Sequence, residues 1–182
     1  MSMALLVIDM QMHFLEANRQ AFSCKILPNL QIALFAARQK GIPVVHAITK
    51  YKDDKSDWPV AFRNQDTIWC LEDNHESDVI PGCEPRENET VIIKKRFTAF
   101  YGTNLSSIFQ AQGTDTLFIC GYSADGCVRF TTMDAYNEGF KIYWLTECMD
   151  SAWEPFQASL SYMKRLTHLI EITNDDFIKI IS

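Results

Sequence analysis

Short apolar runs recur along the chain at residues 4–8, 44–48, 90–94, 116–120 and 141–145, several of them bounded by glycine or proline. They are nearly continuous and rich in Val, Ile and Leu, the pattern of strands covered on both faces. Between most of them the period lengthens. Leu27, Leu30, Leu34 and Ala37 recur at helical spacing before Gly41, a usual helix stop. Cys127 opens a second such stretch, with Val128, Thr131, Thr132 and Ala135 on one face and Gly139 beyond its end. A last strand at 169–172 and a short helix at 175–181 complete the pattern. Alternating strand and helix predicts an α/β fold: an open, mainly parallel sheet of about six strands with helices on both faces. One long stretch, 49–89, shows no clear period, and connections of that length often carry function. Its Trp58, Phe62 and Trp69 serve either to pack the loop or to line a pocket.

The 182 residues, 47% hydrophobic and 22% charged, predict a single domain over 1–182. Seventeen basic against 23 acidic side chains give a net charge of -6, and Lys94, Lys95 and Arg96 form too short a cluster for a nucleic-acid surface. The N-terminus lacks the basic and longer apolar regions of a secretory signal. No run approaches the roughly 18 apolar residues of a membrane span. Six cysteines without a C-x-x-C pair read as reduced thiols rather than a disulfide framework or zinc site. The expected location is the cytoplasm.

Asp9 and Lys94 each end an apolar run, and Cys127 lies just past another. Carboxyl ends of parallel strands converge on one crevice, so an acid, a cation and a thiol would share it. A thiol in the first turn of a helix, beside an ammonium, is expected to have a lowered pKa. Asp125 would oppose that if it faced the thiol, or would cap the helix instead. Asp9 can shuttle a proton, and the turn "GYSADGC" can offer backbone N–H groups to an oxyanion. Blander roles stand beside these. Cys24, Cys70, Cys83, Cys120 and Cys148 suit small buried hydrophobes, as Cys127 itself could. Asp9 could equally bind a metal or cap a helix, and Lys94 could be a solvated charge.

Three longer segments carry a joint signature. "LLVIDMQMHFL" holds D-x-Q-x-x-F in Asp9, Gln11 and Phe14; "VIIKKRFTAFYGTNL" holds K-x-R-[YF]-[ST]-x-F-x-x-T-x-L in Lys94, Arg96, Phe97, Thr98, Phe100, Thr103 and Leu105. In "LFICGYSADGCVRFTTMDAYNEGFKIYWL" a strand and glycine precede a C-V dipeptide and an A-x-x-x-G helix end. In this order, over nearly the whole chain, they resemble the isochorismatase-like cysteine hydrolases, which include nicotinamidases, carbamoylsarcosine amidases and ureidoacrylate amidases. The resemblance implies a triad of Asp9, Lys94 and Cys127. It also implies a cis peptide between Tyr122 and Ser123, and an oxyanion hole from the Ser123 and Cys127 amides. The isochorismatases proper cleave a vinyl ether and lack the nucleophilic cysteine, so Cys127 favours amide chemistry through a thioester. Nicotinamidases usually bear a metal-binding D-x-H after the second strand with another His beyond; here Thr49 and Tyr51 stand in its place, and the separated His46 and His75 do not make up for it. The expectation is therefore no metal and no cofactor, with nicotinamide disfavoured.

The resulting reading is a cysteine amidohydrolase of a small molecule, with Phe14, Trp58, Phe100 and Tyr101 as candidate pocket walls. Family members often assemble, so a homo-oligomer is expected, with neither a nucleic-acid nor a membrane partner. The rivals are a vinyl-ether hydrolase and an inactive binding or scaffold member. A nucleotide-binding domain has no support, since neither G-x-G-x-x-G after the first strand nor G-x-x-x-x-G-K-[ST] is present.

Overall fold

Aliphatic and β-branched runs suit a pleated surface covered on both sides. In the computed structural model, which describes residues 2–182, they form one parallel sheet. Its strands are β1 (Met3–Ile8), β2 (Val44–Thr49), β3 (Thr90–Lys94), β4 (Thr116–Tyr122), β5 (Lys141–Asp150) and β6 (Ile170–Ile172), in the order β3-β2-β1-β4-β5-β6. The chain first moves outward one way from β1 and then, from β4, the other way. With right-handed crossovers the connecting helices then fall on opposite faces, and a crevice opens where the direction reverses, between β1 and β4.

The helices are α1 (Met12–Ala17), α2 (Arg19–Ala21), α3 (Leu27–Gln39), α4 (Leu105–Ala111), α5 (Cys127–Asn137), α6 (Phe156–Thr167) and α7 (Asn174–Ile181), with a π-helical turn at Phe22–Ile26 leading into α3. As the helical spacing predicts, α3 buries Leu30, Leu34 and Ala37, and α5 buries Val128, Thr131, Thr132 and Ala135. The fully buried strands are the inner ones, β2 and β4, with β1 nearly so. β3 departs from the expectation of two covered faces: Val91 and Ile93 are 42% and 49% exposed, because β3 lies at an edge and only alternate residues face the core.

Two features fix the crevice. Ile8 pairs with Gly121 across β1 and β4, and a Cβ on Gly121 would stand 2.0 Å from the Ile8 carbonyl oxygen. Glycine at φ +113 is the residue that lets these strands run so close. On β2 and β3, Thr49 pairs with Lys94, so both side chains leave the sheet at one level.

The 49–89 stretch has two short 3-10 turns, at Val60–Phe62 and His75–Ser77, and its own small core of Tyr51, Trp58 and Ile68. Its end is pinned under the sheet by Glu89. That carboxylate receives Arg38 at 2.7 and 2.9 Å and the Arg86 amide at 2.9 Å, and faces His46 at 3.0 Å. Burial pushes Glu89 up, but these partners outweigh it and hold its pKa at about 2.

Candidate active site

Asp9 follows β1 directly, anchored by its amide to the Ala47 carbonyl at 2.8 Å, and adopts φ +50. Asp is among the few side chains that tolerate this left-handed conformation. Lys94 ends β3, and Cys127 starts α5 after the tight turn that leaves β4. The crevice brings the three together. Lys94 Nζ lies 2.8 Å from Asp9 Oδ2 and donates to Cys127 Sγ at 3.2 Å, with Asp9 and Lys94 almost wholly buried. Oδ2 is held by this ion pair, and the carboxylate bears on the Cys127 thiol as well as on the ammonium.

Thr49 completes the group, and sequence reasoning saw it only as a departure from a metal motif. Its hydroxyl donates to Asp9 Oδ1 at 2.9 Å and accepts from Lys94 Nζ at 2.7 Å. Gln11 fixes Thr49 in turn, accepting its amide and donating to its carbonyl, both at 2.8 Å, and ties in the Ser77 carbonyl at 2.9 Å. The signal was available in principle, since Thr49 ends β2 just as Lys94 ends β3.

The thiol does not behave as its helix-terminal position suggests. Burial pushes the Cys127 pKa well up and the Asp9 charge adds to this, while Lys94 opposes without prevailing. The Lys94 ammonium, whose own pKa burial lowers but Asp9 and Cys127 raise further, is shared with the carboxylate. At neutral pH the resting group is thus a protonated thiol beside an ion pair, not the expected free thiolate.

Asp125 does not cap α5. Its carboxylate accepts from the amides of Ala152, Trp153 and Glu154 at 2.9, 2.5 and 2.9 Å, and so clamps the segment that follows β5. Burial pushes its pKa up, yet these three donors bring it below the ordinary carboxylate value. The Tyr122–Ser123 peptide is cis, and the amides of Ser123 and Cys127 donate to no acceptor among the described residues.

A cavity of about 310 Å3 opens onto Cys127 and Ser123. Of the four wall candidates only Phe14 lines it. Trp58 sits instead in the small core of its own loop, its indole N–H bonded to the Lys52 carbonyl at 2.6 Å. Phe100 is buried against Phe109 and Phe140, while Tyr101 points to solvent at 68% exposure. The other aromatic walls are Trp69, Phe97, Tyr122 and Trp153. Trp153 went unseen, although it stands three residues past β5 and the strand-end rule that found Asp9 applies to it too. His46 and His75 face Glu89 and Asp78, and among the described residues no three His, Cys, Asp or Glu side chains gather to hold a metal. No helix there is long and apolar enough to cross a membrane.

Residues 3–174 match the isochorismatase domain model. The chain is 34% identical over 129 residues to an N-carbamoylsarcosine amidase of Arthrobacter, covering 66% of this chain and 49% of that amidase. It is 29% identical over 170 residues to a maleamate amidohydrolase of Pseudomonas putida, covering 86% and 76%. The chain thus spans about half the length of the first relative and three quarters of the second. Among solved structures, the N-carbamoylsarcosine amidase from Thermoplasma acidophilum superposes with a TM-score of 0.84 at 27% identity, over 96% of this chain and 98% of that one.

Proposed function

The chain belongs to the isochorismatase family, and from that premise we propose that residues 1–182 form one cysteine hydrolase domain that cleaves a C–N bond of a small amide through a thioester. The observation that carries this reading is the meeting of Asp9, Lys94 and Cys127, with Nζ 2.8 Å from the carboxylate and 3.2 Å from the sulfur, and with Cys127 lining the cavity. The amidase names of two relatives support the amide over other substrates.

Because the thiol is protonated at rest, its proton leaves during attack rather than before it. The Asp9 carboxylate accepts that proton as Sγ bonds to the carbonyl carbon. The oxyanion so formed is met by the Ser123 and Cys127 amides, preorganised donors at the mouth of α5. Asp9 then delivers the proton to the amide nitrogen, the C–N bond breaks and ammonia or an amine leaves. Water attacks the thioester, giving one proton to Asp9, and the acid departs as that proton returns to sulfur. Lys94 stays protonated throughout, steadying the carboxylate and then the thiolate as negative charge moves between them.

The test is to trap the acyl group. Acid quench of the enzyme turning over small primary amides, followed by peptide mass spectrometry, should find the acyl mass on the Cys127 peptide. Turnover that survives Cys127→Ala without any acylation would move the assignment to the vinyl-ether hydrolases. An inert thiol and no turnover would favour a scaffold member.

Thr49 acts through its neighbours. Thr49→Val keeps its shape but leaves Asp9 Oδ1 without its donor and takes one acceptor from Lys94, which keeps Cys127 Sγ and the Arg96 carbonyl, so kcat should fall about tenfold. KM should change little, and Thr49→Ser should restore kcat; a loss in KM alone would argue against a positioning role.

A further inference from the structure

The segment that leaves β5 is tied to the turn that delivers Cys127. The Ala124 amide donates to the Asp150 carbonyl at 2.8 Å, and the Asp125 carboxylate takes the amides of Ala152, Trp153 and Glu154. Two residues past Cys127, Arg129 engages Glu154 and reaches Ser159 at 3.1 Å, while Ser159 donates to Glu154 at 2.6 Å. Trp153 is thereby fixed between two anchored neighbours. Gly126, which links Asp125 to Cys127, leaves room for its ring, since a Cβ there would stand 3.0 Å from Trp153 Cζ3 and 3.4 Å from Cη2. The edge of the indole thus rests on the backbone next to the sulfur-bearing residue.

This fixing serves no core. Trp153 is 73% exposed, and its ring lines the cavity together with Cys127. Phe97, 6.5 Å away, lines the cavity too and stacks on the half-exposed Phe130 at 5.4 Å. Three neighbouring exposed rings at a cavity mouth mark apolar surface that is covered when the cavity is filled. An acyl group carried by Cys127 starts beside Gly126, so its outer atoms have the indole within reach. Asp125 itself is 7% exposed and does not line the cavity, and so bears on its contents only by way of the segment it clamps.

We infer that Trp153 is the specificity-determining wall of this site, selecting amides whose acyl group carries apolar bulk beyond the carbonyl, and that Asp125 is a positioning residue acting through it. The inference rests on the amidohydrolase reading above. It goes beyond that reading in naming the part of the substrate that is recognised and the residues that recognise it. Each methylene that leaves water against the ring adds about three- to fourfold to kcat/KM.

The linear primary amides of two, four and six carbons, acetamide, butyramide and hexanamide, lengthen one acyl chain stepwise. In the wild-type chain kcat/KM should rise along the series, with hexanamide above acetamide by at least about tenfold. Trp153→Ala should lower this ratio about fivefold, chiefly through the KM of hexanamide, and Trp153→Phe, which keeps a ring, should retain most of it. Because the ring is exposed, its loss leaves the core intact. Asp125→Asn keeps the shape but gives up acceptors, and should lower the ratio in the same way; combined with Trp153→Ala it should lower it no further. Damage to the oxyanion donors would slow all three amides alike and leave the ratio where it was. A wild-type ratio near one, a ratio unmoved by Trp153→Ala or by Asp125→Asn, or an Asp125→Asn effect on the ratio that persists without the indole overturns the inference. Mass measurement of acyl-Cys127 runs alongside. Equal rates of acylation by all three amides overturn the inference alone, whereas acylation by none of them overturns the amidohydrolase reading with it.

Discussion

Asp9→Asn is expected to lower hydrolysis by about 10²–10⁴-fold, the usual worth of a positioned acid-base group, while making Cys127 easier to alkylate at neutral pH. The two effects run in opposite directions for one reason. Burial raises the thiol pKa most and the Asp9 carboxylate raises it next, with Lys94 pulling the other way. Asn removes the negative charge but keeps the shape, so the Lys94 ammonium, 3.2 Å from the sulfur, faces a thiolate without competition. The thiol pKa falls, and the thiolate fraction at any given pH rises. Plots of iodoacetamide labelling rate against pH, read on the Cys127 peptide, should therefore shift to lower pH in the variant. Labelling that slows, or does not move, while activity is lost would deny that the carboxylate weighs on the thiol.

Such behaviour was only half legible in the chain. The strand ends announce Asp9 and Lys94 because an apolar run that stops on a charge has little else to do with it, and the parallel sheet then gathers those ends. Whether the thiol is ionised depends on how the Lys94 charge is divided between two neighbours, and spacing along a sequence carries no such information. The same holds for Thr49. It occupies the place of a metal ligand in a motif this chain departs from, yet its bonds to both Asp9 and Lys94 follow from the pairing of β2 with β3. Aromatic walls were the least legible. Trp58 and Trp69 lie in one aperiodic loop eleven positions apart, and only the loop's own small core decides that the first is buried in it while the second reaches the cavity. Phe100 and Tyr101 are adjacent and face opposite ways, one into the core and one to solvent. Edge position is likewise a property of the whole sheet, so β3 reads like β1 in sequence and differs from it only once its neighbours are counted.

Lys94→Met should destabilise the fold by about 3–5 kcal/mol, because it strands a buried carboxylate without its cation. Asp9 is wholly buried and would retain only the Thr49 hydroxyl on Oδ1. Burial lowers the Lys94 pKa, but Asp9 and Cys127 raise it by more, so the net shift is upward from 10.5. A raised pKa means that the ammonium's contribution is complete below that value and is lost only as pH climbs through the folded-state pKa; the full deficit is thus measurable at pH 7. Urea unfolding of the wild type, Lys94→Met, Asp9→Asn and the double variant resolves the source of the loss. The double variant buries no unpaired charge and should regain much of what Lys94→Met loses, a coupling that two independent defects would not show. Labelling separates the two partners further. Without the ammonium, nothing offsets burial and the Asp9 charge at the sulfur, so Cys127 alkylation in Lys94→Met should slow where in Asp9→Asn it quickens. If both variants moved the labelling rate the same way, the three groups would not be sharing one charge, and the proton path from Cys127 to Asp9 would have to be abandoned.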